Sequence, residues 1–181
     1  MSGQILLLNG APSTGKTTLA RAIQERCPKP LFHRSLDDFL EGYRHAARRT
    51  EPGVFDRVLA GYLGALRELA AAGIDLVAEA VIIPERVCLY ADAFAGSSVL
   101  LVGVHCPLAV AQERERLRHD RPGGVLKLDV PWFETVHDVP YDLEVQTVDR
   151  EAIDAAAAAA VELFLAPPVE RAFDRLRASL H

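Results

Sequence analysis

The stretch Gly10-Ala-Pro-Ser-Thr-Gly15-Lys16-Thr17 fits G-x-x-x-x-G-K-[ST], a set of residue types suited to gripping a polyphosphate. Gly10 and Gly15 let the backbone curl until successive N–H groups point at one anion. A helix opening near Gly15 would aim the positive end of its dipole at the same point. Lys16 adds a point charge for the β- and γ-phosphates, and the Thr17 hydroxyl suits a Mg²⁺ ligand. The expected nucleotide-binding residues are therefore Gly10, Ala11, Pro12, Ser13, Thr14, Gly15, Lys16, Thr17 and Thr18, with ATP and Mg²⁺ as the implied cofactors.

Two acidic elements and one basic element extend this chemistry. Glu79 closes the apolar run LVAEA, where a carboxylate can hold Mg²⁺ through water or pair with an arginine. Bare burial there would cost several kcal/mol, roughly, so a partner is required. Asp37 and Asp38 follow a short apolar segment in HRSLDDFLEGYR. Phosphorylating a hydroxyl needs a carboxylate to take its proton, and aspartates here also make ordinary helix N-caps. Asp37 is read as the base and Asp38 as the cap, with Asp38, Phe39 and Tyr43 beside the acceptor. Arg114, Arg118 and Arg121 recur at spacings of four and three, on one helical face. Pro122, Gly123 and Gly124 break that helix, so a lid over about 114–135 could bring arginines onto the phosphates. The opposing possibility is a solvated face paired with Glu113, Glu115 and Asp120, to which Arg116 belongs.

These groups must be positioned by elements that the sequence also indicates. Gln4–Asn9 reads as a fully buried strand because its apolar residues are continuous. Further strands are expected at Leu31–Ser35, Asp75–Ile83, Ser98–Val104 and Leu143–Thr147. Helical spacing marks the segment after Gly15, Asp37–Ala47, Val54–Ala72 stopped by Gly73, Ala109–His119, and Asp149–Leu165. This alternation predicts a three-layer α/β/α fold with a five-stranded parallel sheet, its active groups at the carboxyl ends of the strands. Residues 1–166 form one kinase-type domain, and 167–181 a C-terminal extension. Val169, Phe173, Leu176 and Leu180 give that extension an apolar face, for docking on its own domain or for a homodimer contact.

Composition excludes other classes. The chain has 181 residues and a formal net charge of -5, which leaves no electrostatic footprint for nucleic acid or an anionic membrane. Cys27, Cys88 and Cys106 are too scattered for a disulfide framework or a zinc site and read as core residues. The six histidines show no ligand spacing. The first residues lack a basic stretch ahead of their apolar run, and a cytoplasmic setting is expected.

The chain resembles the chloramphenicol phosphotransferase-like family of small P-loop kinases. The resemblance runs through ILLLNGAPSTGKTTLARAIQ, SLDDFLEG, LVGVHCPLAVAQERERLRHDR and VHDVPYDLEVQT, spanning about residues 4–165. It implies a nucleoside-kinase-like fold and ATP-dependent phosphorylation of a hydroxyl on a small molecule. It also implies Asp37 as general base, Arg118 and Arg121 as phosphate-contacting lid arginines, and Arg114 near the nucleotide. The chain departs from the antibiotic kinase in having Glu79-Ala80 where that enzyme has paired aspartates. An antibiotic such as chloramphenicol is one acceptor this implies. The alternatives are a metabolic nucleoside- or sugar-type acceptor and, in another class, a nucleotide-sensing switch.

Overall fold

In β1 (Gln4–Asn9), Ile5 and Leu7 face one side of a sheet while Leu6 and Leu8 face the other, and all four are fully buried. A strand apolar on both sides must be covered on both sides, and this sets the layers. The computed structural model describes residues 2–42, 51–117 and 130–179. Among them β2 (Phe32–Ser35), β3 (Leu76–Ala80), β4 (Ser98–His105) and β5 (Leu143–Gln146) join β1 in the order β2-β3-β1-β4-β5. Every neighbouring pair is parallel, with Leu8 opposite both Glu79 and Val102.

One face carries α1 (Lys16–Arg26) and α7 (Arg150–Leu165), which bury Leu19, Ala20 and Ile23 against Ala156, Ala157 and Ala160. The alanine run of α7 thus serves close helix packing, and Asp149 caps its start by accepting from the Ala152 N–H at 2.9 Å. The other face carries α2 (Leu36–Glu41), α3 (Val54–Ala71), α4 (Pro84–Ala93) and α8 (Ala172–Ser179). Two further helices, α5 (Leu108–Leu117) and α6 (Val130–Thr135), follow β4 and precede β5. The expected three-layer architecture and five-stranded parallel sheet are both present.

Among the described residues, two helices escape the sequence pattern. The segment Pro84–Ala93 buries only Val87, Tyr90 and Ala91, too few positions for a clear period, though Pro84 sits at the first helical turn that favours it. The six-residue α6 is too short to register a period at all. Tyr43, Arg118 and Arg121, with the ends of the expected helices Asp37–Ala47 and Ala109–His119, lie outside the described residues. So does most of the expected lid.

The C-terminal extension docks on its own domain. Phe173 is buried against Phe94, with stacked rings 6.4 Å apart, and Arg177 Nη1 donates to the Ala91 carbonyl at 2.7 Å. Val169, expected on the apolar face, is fully exposed in the connection before α8. Among the described residues no helix is long and apolar enough to cross a membrane.

Candidate active site

β1 is where the chain switches sides, with later strands added first through β3 and then through β4. The loop leaving its carboxyl end therefore lies in the crevice where such sheets bind ligands. That loop is the glycine-rich segment. A Cβ on Gly10 would sit 2.4 Å from the Val104 carbonyl oxygen, so the backbone lies flat against β4 only because no side chain is there. Gly15 has φ +96°, a left-handed conformation that glycine adopts without strain, and α1 begins at the next residue. Ser13 is left-handed as well, at φ +62°.

The loop is braced from behind through its carbonyl groups. Arg114 on α5 donates to the Thr14 carbonyl at 3.3 Å and to those of Thr147 and Val148 at 2.6 and 3.1 Å. The fully buried Thr147 donates its hydroxyl to the same Thr14 carbonyl and lies 3.0 Å from the His105 carbonyl. Ser13 donates its hydroxyl to Glu115, one residue along α5 from Arg114. Lys16 Nζ donates to the Gly10 and Ala11 carbonyls at 2.8 and 2.9 Å, holding its charge over the loop.

Glu79 is 4% exposed at the carboxyl end of β3 and both its oxygens are engaged. Thr17 Oγ1 donates to Oε2 at 2.8 Å, and His33 Nε2 lies 2.6 Å from Oε1. The expected alternative of an arginine partner is therefore replaced by a threonine and a histidine. Only the parallel register, with β2 beside β3, brings His33 to this carboxylate. Tyr62 closes the site from below, donating its hydroxyl to the Glu79 backbone carbonyl at 2.8 Å. Burial above all, with Tyr90 and Glu79 adding to it, holds that phenol well above its ordinary pKa. The residues present fit Mg²⁺, since a hydroxyl and a carboxylate oxygen, both hard ligands, meet beside the phosphate loop.

The two aspartates differ in their contacts, and the N-cap of α2 is Ser35, with Asp38 at the third helical position. Ser35 Oγ accepts from the Asp37 N–H at 3.0 Å, and Asp38 Oδ2 accepts from the Ser35 N–H at 3.0 Å. Asp38 thus serves the helix cap rather than the acceptor side. Asp37 is exposed on α2, two residues beyond Ser35, which pairs with Glu79 across the sheet. Phe39 meets Tyr62 edge to face at 5.2 Å, so it belongs largely to the core beneath α2. Arg116 pairs with Glu113 at 2.7 Å on the solvent side, and Arg114 braces the phosphate loop.

A cluster that the motifs do not mark lies between the phosphate loop and α6. Asn9, fully buried at the end of β1, bonds Ile82, Val136 and Tyr141, and Tyr141 lies 3.2 Å from His137 Nδ1. The His137 and His105 rings stack with centroids 3.8 Å apart. His105 Nε2 lies 3.0 Å from Glu144 Oε2 without hydrogen-bond geometry, and His137 Nε2 is buried with no hydrogen-bond partner among the described residues. Burial first, then His105 and Lys16, push the His137 pKa down to about 4, so its ring is neutral near pH 7.

This fold and this loop define a phosphotransferase of the P-loop kinase class. The chain belongs to the chloramphenicol phosphotransferase-like protein family, whose model it matches over residues 3–163. A protein of Mycobacterium tuberculosis H37Rv, provisionally named an O-phosphotransferase, is 29% identical over 202 aligned positions, spanning 97% of this chain and 88% of the relative. A sugar kinase from Janibacter sp. HTCC2649 shares the fold at TM-score 0.63 and 16% identity, covering 88% of this chain and 95% of that one. Shikimate kinase from Acinetobacter baumannii does so at TM-score 0.61 and 16% identity, covering 93% and 96%.

Proposed function

We propose that the protein transfers the γ-phosphoryl group of Mg-ATP to a hydroxyl of a small polar metabolite of the sugar or nucleoside type. The observation that carries this reading is the Thr17–Glu79 contact beside Lys16, with Asp37 two residues past the strand position paired to Glu79. Among proteins sharing this fold are kinases named for a sugar and for shikimate, which supports a polyhydroxyl acceptor over chloramphenicol. The replacement of paired aspartates by Glu79-Ala80 points the same way.

Mg-ATP supplies an activated phosphoryl group whose charge spreads over three oxygens as it transfers. Lys16 and the loop N–H groups hold the phosphates, while Thr17 and Glu79 hold Mg²⁺ directly or through water. Asp37 takes the acceptor's proton as the hydroxyl oxygen bonds to phosphorus and the bond to ADP breaks. Arg118 and Arg121 balance the charge on the transferring group, and Arg114 steadies the loop from behind.

The test is ADP release from Mg-ATP against D-gluconate, shikimate, nucleosides, aminoglycosides and chloramphenicol, with product mass recorded. A sugar or nucleoside that stimulates turnover and gains one phosphate supports the reading. Stimulation by chloramphenicol alone assigns the antibiotic acceptor instead. ATP binding with no stimulated turnover overturns the metabolic-kinase reading in favour of a switch.

A further inference from the structure

After Gln4, β1 is apolar until its last residue, and there it carries an asparagine with no exposed surface. A buried amide in a strand end needs its hydrogen bonds made, and where they go defines what it connects. Asn9 Oδ1 accepts from the Ile82 N–H at 2.7 Å. Its Nδ2 lies 2.7 Å from the Tyr141 hydroxyl and 3.2 Å from each of the Ile82 and Val136 carbonyls. Two amide hydrogens thus serve three acceptors, so this side chain has no orientation to spare.

Those partners belong to three different segments. Ile82 lies between β3, which carries Glu79, and α4. Val136 directly follows α6, and Tyr141 precedes β5. On the other side Asn9 is bonded through its own peptide to Gly10, whose carbonyl Lys16 Nζ holds at 2.8 Å.

Tyr141 is itself fixed. A Cβ on Gly103 would lie 2.8 Å from its ring, so the ring fills the space that this glycine leaves open on β4. Arg175 of α8 donates to the Tyr141 carbonyl at 2.9 Å. The next side chain, Asp142, accepts from the Leu101 N–H at 2.8 Å and the Ala172 N–H at 2.6 Å.

We propose that Asn9 is a positioning residue: acting with Tyr141, it couples the state of the phosphate loop to the placement of α6 and of the β3–α4 connection. The inference rests on the nucleotide-binding part of the reading above. A polyphosphate that draws the Lys16 ammonium away releases the Gly10 carbonyl, and the adjoining Asn9 passes the shift to Val136 and Ile82. Neither Asn9 nor Tyr141 touches the reacting atoms.

Trp132, the chain's single tryptophan, lies in the sequence of α6, and its emission is the readout chosen for the experiment. The experiment titrates Mg-ADP and its non-hydrolysable triphosphate counterpart, Mg-AMPPNP, into the wild type, Tyr141→Phe and Asn9→Ser. Tryptophan emission is recorded beside calorimetric affinity and a thermal melt. Wild type is expected to change its emission on binding. Tyr141→Phe keeps its ring over Gly103 and is expected to bind nucleotide within about five-fold of the wild-type affinity, as the reciprocity of the coupling requires, while its emission change at saturating nucleotide shrinks. Loss of one hydrogen bond shifts the coupled equilibrium about five-fold. Asn9→Ser should lose more, and where it fails to fold Tyr141→Phe alone decides.

A full emission change in Tyr141→Phe overturns the coupling. So does a silent tryptophan in a wild type that calorimetry shows binding nucleotide. An affinity loss in Tyr141→Phe well beyond about five-fold, together with a lowered melting temperature, would reduce the hub to general structural support and also overturn the proposal. A wild type that binds no nucleotide would overturn the kinase reading itself, and this inference with it.

Discussion

Thr17 Oγ1 donates a 2.8 Å hydrogen bond to Glu79 Oε2, joining the first turn of α1 to the carboxyl end of β3. The second oxygen of the same carboxylate lies 2.6 Å from His33 Nε2. A buried acid whose two oxygens meet a hydroxyl and an imidazole is held in one orientation, and the hydroxyl is the one that the loop motif assigns to metal. The sheet register thereby fixes the geometry of a site that two distant sequence segments only outline separately.

Glu79→Gln keeps the shape of the side chain and one acceptor oxygen for Thr17 while removing the charge. Loss of such a group around a metal typically costs about 10–100-fold in metal affinity or activity. The variant should need more Mg²⁺ to reach half-maximal turnover, read from Mg²⁺ titrations at fixed ATP. An unchanged Mg²⁺ requirement would remove Glu79 from the metal site.

Asp37→Asn tests the proton acceptor separately from nucleotide binding. Because Asp38 and Ser35 carry the cap of α2, replacing the Asp37 carboxylate should leave that helix intact. General-base loss costs about 10²–10⁴-fold, so kcat should fall by that order. ATP affinity by calorimetry should stay close to wild type. A fall in affinity with kcat retained would place Asp37 on the nucleotide side instead.

The parts of this site that were legible in the sequence are those encoded locally. The glycine-rich loop, the strand before it and the helix after it all lie within about residues 4–26, and periodicity with motif spacing suffices for them. A capping role for Asp38 was legible from an aspartate opening a helix, and Glu79 from its place at the end of an apolar run, whereas Ser35 as the N-cap itself came only from the structure. His33, Thr147 and Asn9 were not legible as site residues, because each acquires its role through a partner far along the chain. His33 depends on the β2–β3 register, and Thr147 on a strand edge ending beside Thr14. Asn9 did carry a signal, as an amide closing the apolar run of residues 5–8, though nothing local names its partners. Helix α4 was missed because so few of its positions are buried, whereas α3 was found from a full apolar stripe.

His137 makes stability depend on pH in a stated direction. Its pKa is lowered in the fold to about 4, by burial first and then by His105 and Lys16. The unfolded chain binds the proton near the ordinary histidine value, so it gains protons relative to the fold as pH falls from about 6.5 towards 4. The stabilising contribution is complete above that window and is lost through it. Thermal melts at about pH 7.5 and about pH 5 should show a smaller drop for His137→Gln than for wild type. Equal drops would mean that other groups carry the acid sensitivity.

The C-terminal helix lies beyond the family match, which ends at residue 163, yet it completes the core. Phe173 is 2% exposed against Phe94, Arg177 bonds the end of α4, and the Asp142 carboxylate accepts from the first N–H of α8. A large aromatic removed from such a position costs about 3–5 kcal/mol, from lost burial and the cavity left behind. Phe173→Ala should therefore lower the urea midpoint sharply, whereas Val169→Ser, at a fully exposed position, should leave it unchanged. The two variants together separate an integral helix from a dispensable tail. A dispensable tail would show no change in either, and an intermolecular contact would make the Phe173→Ala effect depend on protein concentration. Because α8 also grips Tyr141 and Asp142, the same variant should weaken the coupling between nucleotide binding and Trp132 emission even below its melting range.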